Sequence, residues 1–357
     1  MKHIVLQIFF LIGFEQCIFA NAEYNIGAYY YAGWWREPAP VHYMNFGLDW
    51  RPSWPERKPL LGWYDDRQWV IDQEILLASS HGIDFFMFDF FADRPDGVEF
   101  PGARKNNNNG LNFFVTSRYK ERMAFAILYE NAGHPITDLK QWEHYADLWV
   151  SYFLDPQYYR INGKPVFMII VGLVLPSNFG SNVNAMLALT ILREKALAAG
   201  ISEILIGCGL FSSPPSSAQL ALGQTLGYDF YSAYGFDYAS LPDGANEFSV
   251  IVPLAAAEYN AFIASPLAFA PYNVVAHDRR AIEFFNEPYF INRTPEIYNA
   301  ELQLGKDFLD NNPNLWVDQT QKLILINSWN EIGAGSVLNV PVEDGFAYLD
   351  QISAVFP

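Results

Sequence analysis

Short apolar runs in this chain end, one after another, on acids, amides and aromatic rings. After the first run come Tyr30, Tyr31, Trp34 and Trp35; after the second, Asp89 and Asp93; after the third, Glu130, Asn131 and His134. Later runs deliver Tyr234, Phe236 and Asp237, then His277 and Asp278, and finally Trp329, Asn330 and Glu331. Flat aromatic faces beside carboxyl groups suit a sugar, because a pyranose ring offers C–H faces for stacking and hydroxyls that seek acceptors. Cleaving a glycosidic bond also needs one carboxyl as proton donor and a second group to stabilise or attack the oxocarbenium-like centre.

Glu331 leads this set. The run from Ile324 passes from an apolar strand straight into Trp-Asn-Glu and a glycine-containing turn, and a strand end is where a barrel enzyme keeps its chemistry. Helix capping or pairing with an arginine is the structural alternative. Glu130, in Tyr129-Glu-Asn131, is the expected second catalytic carboxyl against an internal ion pair, with Asn131 beside it as a hydroxyl partner. Asp89 lies within Phe85-Phe-Met-Phe-Asp-Phe-Phe91; a carboxylate buried there without a partner is costly, so it faces the site or is hydrogen-bonded within the wall. His134 stands in a Gly-His-Pro loop as either a ligand contact or a structural histidine. Asp237 and Asp278 are further acids, each with a capping or turn role as the alternative. Arg279 and Arg280 follow Asp278, and a neighbouring arginine holds a carboxylate ionised and makes it a poor acid. Tyr30, Tyr31, Trp34, Trp35, Tyr234 and Trp329 are sugar platforms or core; Trp34 and Trp35 lie past the strand, which favours the site.

The elements that must position these residues follow from the apolar runs themselves. Eight strand-like segments, 24–31, 82–90, 123–129, 165–171, 203–208, 228–234, 272–276 and 322–328, alternate with helix-like segments. The helices are expected at 68–80, 110–119, 139–153, 184–199, 216–226, 253–264, 295–311 and 344–354. In the first of them Val70, Ile71, Ile75, Leu76 and Ala78 share an apolar side. Continuous runs such as Phe167-Met-Ile-Ile-Val171 mark strands buried on both faces, as in parallel sheets. The alternation predicts a (β/α)8 barrel with extended βα loops, with a doubly wound sheet as competitor. No Gly-x-Gly-x-x-Gly opens a helix and no P-loop is present, so nucleotide binding has no support.

Composition narrows the partners. Of 357 residues, 39 are acidic and 22 basic, for a net charge of −17, which argues against nucleic acid and anionic membrane surfaces and for a neutral ligand. Aromatic residues make up 17%, more than a core alone requires. Lys2, the apolar run from Ile4 to Phe14 and Ala20-Asn21-Ala22 read as a secretory signal occupying residues 1–22. A single (β/α)8 domain is expected over 23–357, secreted or periplasmic, without membrane insertion and without an obligate protein partner in view. Cys208, in an apolar run, reads as a buried strand residue. The histidines show no paired metal-ligand spacing, and no Gly-x-Ser-x-Gly elbow is present.

Asn327-Ser-Trp-Asn-Glu-Ile-Gly-Ala-Gly-Ser336, followed by Asp344-Gly-Phe-Ala-Tyr-Leu349, resembles the last strand and helix of glycoside hydrolase family 99-like proteins. Similar pieces occur in order along the chain: Gly27-Ala-Tyr-Tyr-Tyr-Ala-Gly-Trp-Trp35, Pro59-Leu-Leu-Gly-Trp-Tyr64, Phe125-Ala-Ile-Leu-Tyr-Glu-Asn131 and Asn162-Gly-Lys-Pro-Val-Phe167. The resemblance implies a retaining endo-glycosidase on α-mannosides, with no metal or organic cofactor. It further implies two glutamates three residues apart: one that deprotonates the sugar's 2-hydroxyl and one that protonates the leaving oxygen. Glu331 matches the first; Ala334 stands where the second belongs. A methyl group donates no proton, so three readings stay open. Another acid (Glu130, Asp237 or Asp278) fills the gap, or Glu331 and Glu130 form a conventional pair, or the barrel binds glycan without cutting it. A glycan-modifying transferase or deacetylase is a more distant alternative.

Overall fold

The computed structural model describes residues 23–36, 41–92, 107–133, 135–211, 214–282 and 286–357. The proposed signal segment, Asp93 and His134 lie outside the described residues. Eight parallel positions form the central wall: β1 (Glu23–Tyr30), β2 (Phe85–Phe91), β3 (Ala124–Glu130), β4 (Lys164–Ile169), β5 (Leu205–Phe211), β6 (Phe230–Gly235), a divided β7 (Ala268–Phe269 and Tyr272–Val274) and β8 (Gln321–Asn327). Each pairs in parallel with the next, and β8 returns to β1. The ring closes through β7, whose first piece pairs with β6 and whose second pairs with β8. Ala270 and Pro271 span the break and still bond to both neighbours, the Ala270 N–H to the Tyr231 carbonyl and the Leu325 N–H to the Pro271 carbonyl. The expected start of this strand at 272 missed its first piece, because Pro271 interrupts the apolar run.

Helices follow the strands: α1 (Gln68–Ser80), α2 (Asn109–Val115), α3 (Leu139–Phe153), α4 (Asn182–Ala198), α5 (Ser217–Leu226), α6 (Ile251–Ala261), α7 (Pro295–Asn311) and α8 (Ala347–Val355). Asp138, Ser181, Ser216 and Thr294 cap their helices by accepting from backbone N–H groups in the first turn. On α1 the expected apolar side is incomplete. Leu76 is only half-buried, whereas Asp72 and Glu74 are buried, because they hydrogen-bond beneath the helix.

The strand period assigns the two faces of the wall. Phe86, Phe88 and Phe90 point outward, onto Trp329, Phe114 of α2 and Trp149 of α3; each such buried ring contributes about 1.5–3 kcal/mol. Phe85, Met87 and Asp89 alternate with them and therefore point into the barrel. Tyr29 fills the interior: its hydroxyl donates to the Ala233 carbonyl at 3.1 Å and its ring stacks on Tyr234 with centroids 4.8 Å apart. The barrel is thus closed at that level, and the space above it opens at the carboxyl ends of the strands.

Candidate active site

That space is a cavity of about 850 Å³, lined by residues from the ends of β1, β2, β3, β6, β7 and β8 and their loops. Of the residues singled out from sequence, Tyr31, Trp34, Asp89, Glu130, Tyr234, Phe236, Asp237, His277 and Glu331 line it. The segment carrying Glu331 is fixed from several sides. The Ser328 hydroxyl accepts the Glu331 N–H at 2.9 Å and donates to the Ser336 carbonyl at 2.8 Å. The Trp34 indole donates to the Asn330 carbonyl at 2.6 Å, and the Asn330 side chain accepts the Tyr31 N–H at 2.8 Å. Gly335, at φ 70°, completes the turn in a conformation that favours glycine. Arg57 donates to the Gly333 carbonyl at 2.8 Å.

Tyr234 sits between two acids. Its hydroxyl lies 2.9 Å from Glu331 Oε1 and 3.2 Å from Asp89 Oδ2. Asp89 Oδ1 is buried without a protein partner. Burial pushes both carboxyls above their ordinary range. For Asp89 the negative charges of Glu331 and Glu130 add to the effect, while the Tyr234 hydrogen bond opposes it. For Glu331 burial is opposed by the Tyr234 hydrogen bond and by the charge of Arg279. Glu130 is anchored differently: Oε1 accepts the N–H groups of Ala132 and Gly133, both at 2.8 Å, and Oε2 is buried without a partner. His42 and His277 also line the cavity, and burial lowers each to about 4, so both imidazoles are neutral at neutral pH.

The other expected site residues are placed elsewhere, which corrects the sequence reading. Tyr30 points outward and donates to Glu74 at 2.7 Å; it is one position out of phase with the inward-facing Tyr29 and Tyr31. Trp35 packs edge-on against His42 rather than on the cavity. Asn131 is buried behind the wall, joining Val171 and Asn178. Trp329 is buried against Phe86, and Asn330 is used up in positioning the loop. Asp278 pairs with Arg57 at 3.0 Å and Arg280 at 2.8 Å. Its burial is outweighed by the Arg280 hydrogen bonds and the two arginine charges, which hold it below the usual carboxylate range.

Sequence reasoning left several lining residues unassigned: His42, Met44, Asp243, Arg279, Glu287 and Asn327. Asn327 ends β8 and donates to the Tyr234 carbonyl, a strand-end position that its apolar context concealed. Arg279 pairs with Glu287 at 3.3 Å. Ala334 contributes a methyl group to the wall. Among the described residues no cluster of three or more His, Cys, Asp or Glu is arranged to hold a metal ion, and no helix is long and apolar enough to cross a membrane.

No protein-family model and no curated protein sequence matches the chain. Solved structures do. A glycoside hydrolase-like protein superposes with a TM-score of 0.63 at 15% identity over 94% of both chains. The GH99 endo-α-mannosidase of Bacteroides thetaiotaomicron gives a TM-score of 0.59 at 13% identity, covering 93% of this chain and 96% of its own. A family 1 β-glucosidase of Thermotoga maritima gives 0.50 at 10% identity, over 81% of this chain and 86% of its own. At these identities the likeness is one of architecture, and in architecture the chain is a (β/α)8 barrel of the kind found in family 99 endo-α-mannosidases.

Proposed function

We propose that this chain is a secreted glycoside hydrolase, released by cleavage after Ala22, that cuts within a mannose-containing or other neutral polysaccharide. The observation that carries the reading is Glu331 at the end of β8, held toward an aromatic-walled cavity that Asp89 and Glu130 also face. A neutral ligand follows from charge. Among the described lining residues Asp89, Glu130, Asp237, Asp243, Glu287 and Glu331 are acids, against the paired cation Arg279. A uronate or sulfated sugar would meet repulsion there. Tyr31 and Trp34 offer ring surface for stacking, and the unpartnered oxygen of Glu130 suits a sugar hydroxyl. Glu331 acts on the anomeric side of the sugar, as attacking carboxylate or as base for an attacking hydroxyl.

The test is release of reducing ends from neutral glycans, mannans first, by the wild type and by Glu331→Gln. Full activity in that variant would end the assignment. A second reading, a barrel that binds glycan without turnover, is favoured by the methyl group of Ala334. Calorimetric binding with no products after long incubation would establish it in place of the first.

A further inference from the structure

The pair of carboxyls joined by Tyr234 answers the question that Ala334 raises. A tyrosine hydroxyl carries one proton. At 2.9 Å it donates to Glu331, and its 3.2 Å contact with Asp89 Oδ2 is then attractive only if Asp89 itself holds a proton and donates it to the tyrosine oxygen. Sharing one hydroxyl at those two distances also keeps Asp89 Oδ2 and Glu331 Oε1 no more than about 6 Å apart, short of the roughly 6.5–9.5 Å that inverting pairs need to admit a water. We propose that Asp89 is the proton donor of the reaction, standing in for the carboxyl absent at position 334, and that Asp89 and Glu331 form a retaining pair.

The inference rests on the hydrolase reading above and names the acid that it needs. Glu130 is set apart from this pair: its Oε1 is anchored on the N–H groups of Ala132 and Gly133, and it is Asp89 that shares the Tyr234 hydroxyl with Glu331. Among the described residues the groups facing Asp89 are Tyr29 and Tyr31 from the β1 side, Glu130 from β3, Tyr234 from β6 and Glu331 after β8. None of these is a cation, and burial among them favours the neutral acid. In the first step the Asp89 proton moves to the glycosidic oxygen, the C1–O bond breaks with its electron pair on that oxygen, and a Glu331 oxygen bonds to C1. In the second, water attacks C1, its proton passes to the Asp89 carboxylate, and Glu331 leaves with the pair it brought. Both carboxyls end as they began.

Leaving-group dependence tests the assignment, with a methyl and a dinitrophenyl glycoside of the same mannose oligomer as probes. Asp89→Asn should lower kcat/KM on the methyl glycoside by about 10²- to 10⁴-fold, the usual worth of general acid catalysis, and change it far less on the dinitrophenyl glycoside, which departs without a proton. Glu130→Gln should show no such split. Equal losses on both substrates in Asp89→Asn, or the split appearing in Glu130→Gln, would overturn the proposal. If wild type cleaves neither probe, the hydrolase reading fails, and the proton is then read directly by carbon-13 NMR of aspartate-labelled wild type. A neutral Asp89 carboxyl at neutral pH sustains its place as the protonated partner; an ionised one overturns it.

Discussion

The wall of this barrel carries the same chemical pair on both of its faces, with opposite consequences. Outside, Tyr30 donates to Glu74 at 2.7 Å, and Asn339 donates to the other oxygen of that carboxyl at 2.5 Å. Inside, Tyr234 donates to Glu331 at 2.9 Å and touches Asp89. Burial raises Glu74 and Glu331 alike. What separates them is access: Glu74 is sealed between α1 and the strands with zero exposure, whereas Glu331 borders the cavity. A raised carboxyl is therefore no sign of chemistry by itself. It becomes one where a substrate can reach it and a partner acid stands opposite.

The sharpest way to break this comparison is to remove each carboxyl and read both turnover and stability. Glu331→Gln should cost roughly 10²- to 10⁴-fold in kcat with little change in melting temperature. Glu74→Ala should do the reverse. It leaves the Tyr30 hydroxyl and the Asn339 amide buried without that partner, at roughly 1–3 kcal/mol per group, so a loss of about 2–6 kcal/mol in urea unfolding is expected. A collapse of turnover in a folded Glu74→Ala protein would show that the outer pair also serves the reaction.

The pH dependence of stability sharpens the point. Burial pushes Glu74 up to about 7 from an ordinary 4.5, so the folded state binds a proton that the unfolded state has released. Its contribution is complete below pH 4.5 and is lost as pH rises through about 7. Stability should fall across that window by at most about 3 kcal/mol from this group. Glu258, also raised to about 7, adds to the same slope. Unfolding free energies measured between pH 4 and 8 should decline less steeply in Glu74→Gln than in wild type. An unchanged slope would mean that Glu74 is ionised in the fold.

That the sequence reading set Tyr30 beside Tyr31 as a site residue and passed over Glu74 comes down largely to phase. The alternation of apolar segments and the Trp-Asn-Glu turn were enough for the barrel, and they placed Glu331, Glu130 and Asp89 at strand ends. Residues buried on both sides of a strand, however, show no polar-apolar alternation. Nothing local says that Tyr31 turns inward and Tyr30 outward. Asn131 follows Glu130 by one position and for the same reason ends behind the wall. Asp278 was misplaced by a long-range effect, since Arg57, more than two hundred residues earlier in the chain, draws it out of the cavity lining. Glu74 was invisible because a single acid on a mostly apolar helix side looks like an interruption until its partners from β1 and the loop after β8 are seen.

Asp237 provides the smallest and most discriminating test. It lines the cavity and had a claim to be the missing acid, yet its carboxyl accepts the Ala239 N–H at 3.1 Å at the start of a short helical turn. Its own N–H is held by Glu258 at 2.5 Å. The side chain is thus spent on shaping the rim, and Asp237→Ala should cost about 1 kcal/mol, the typical worth of a capping side chain, with turnover within about twofold of wild type. A hundredfold fall in kcat confined to substrates with poor leaving groups would instead give Asp237 the proton assigned to Asp89. Cavity position alone would then not separate the working acids from the structural ones, and the sharing of a tyrosine hydroxyl would lose its value as the criterion.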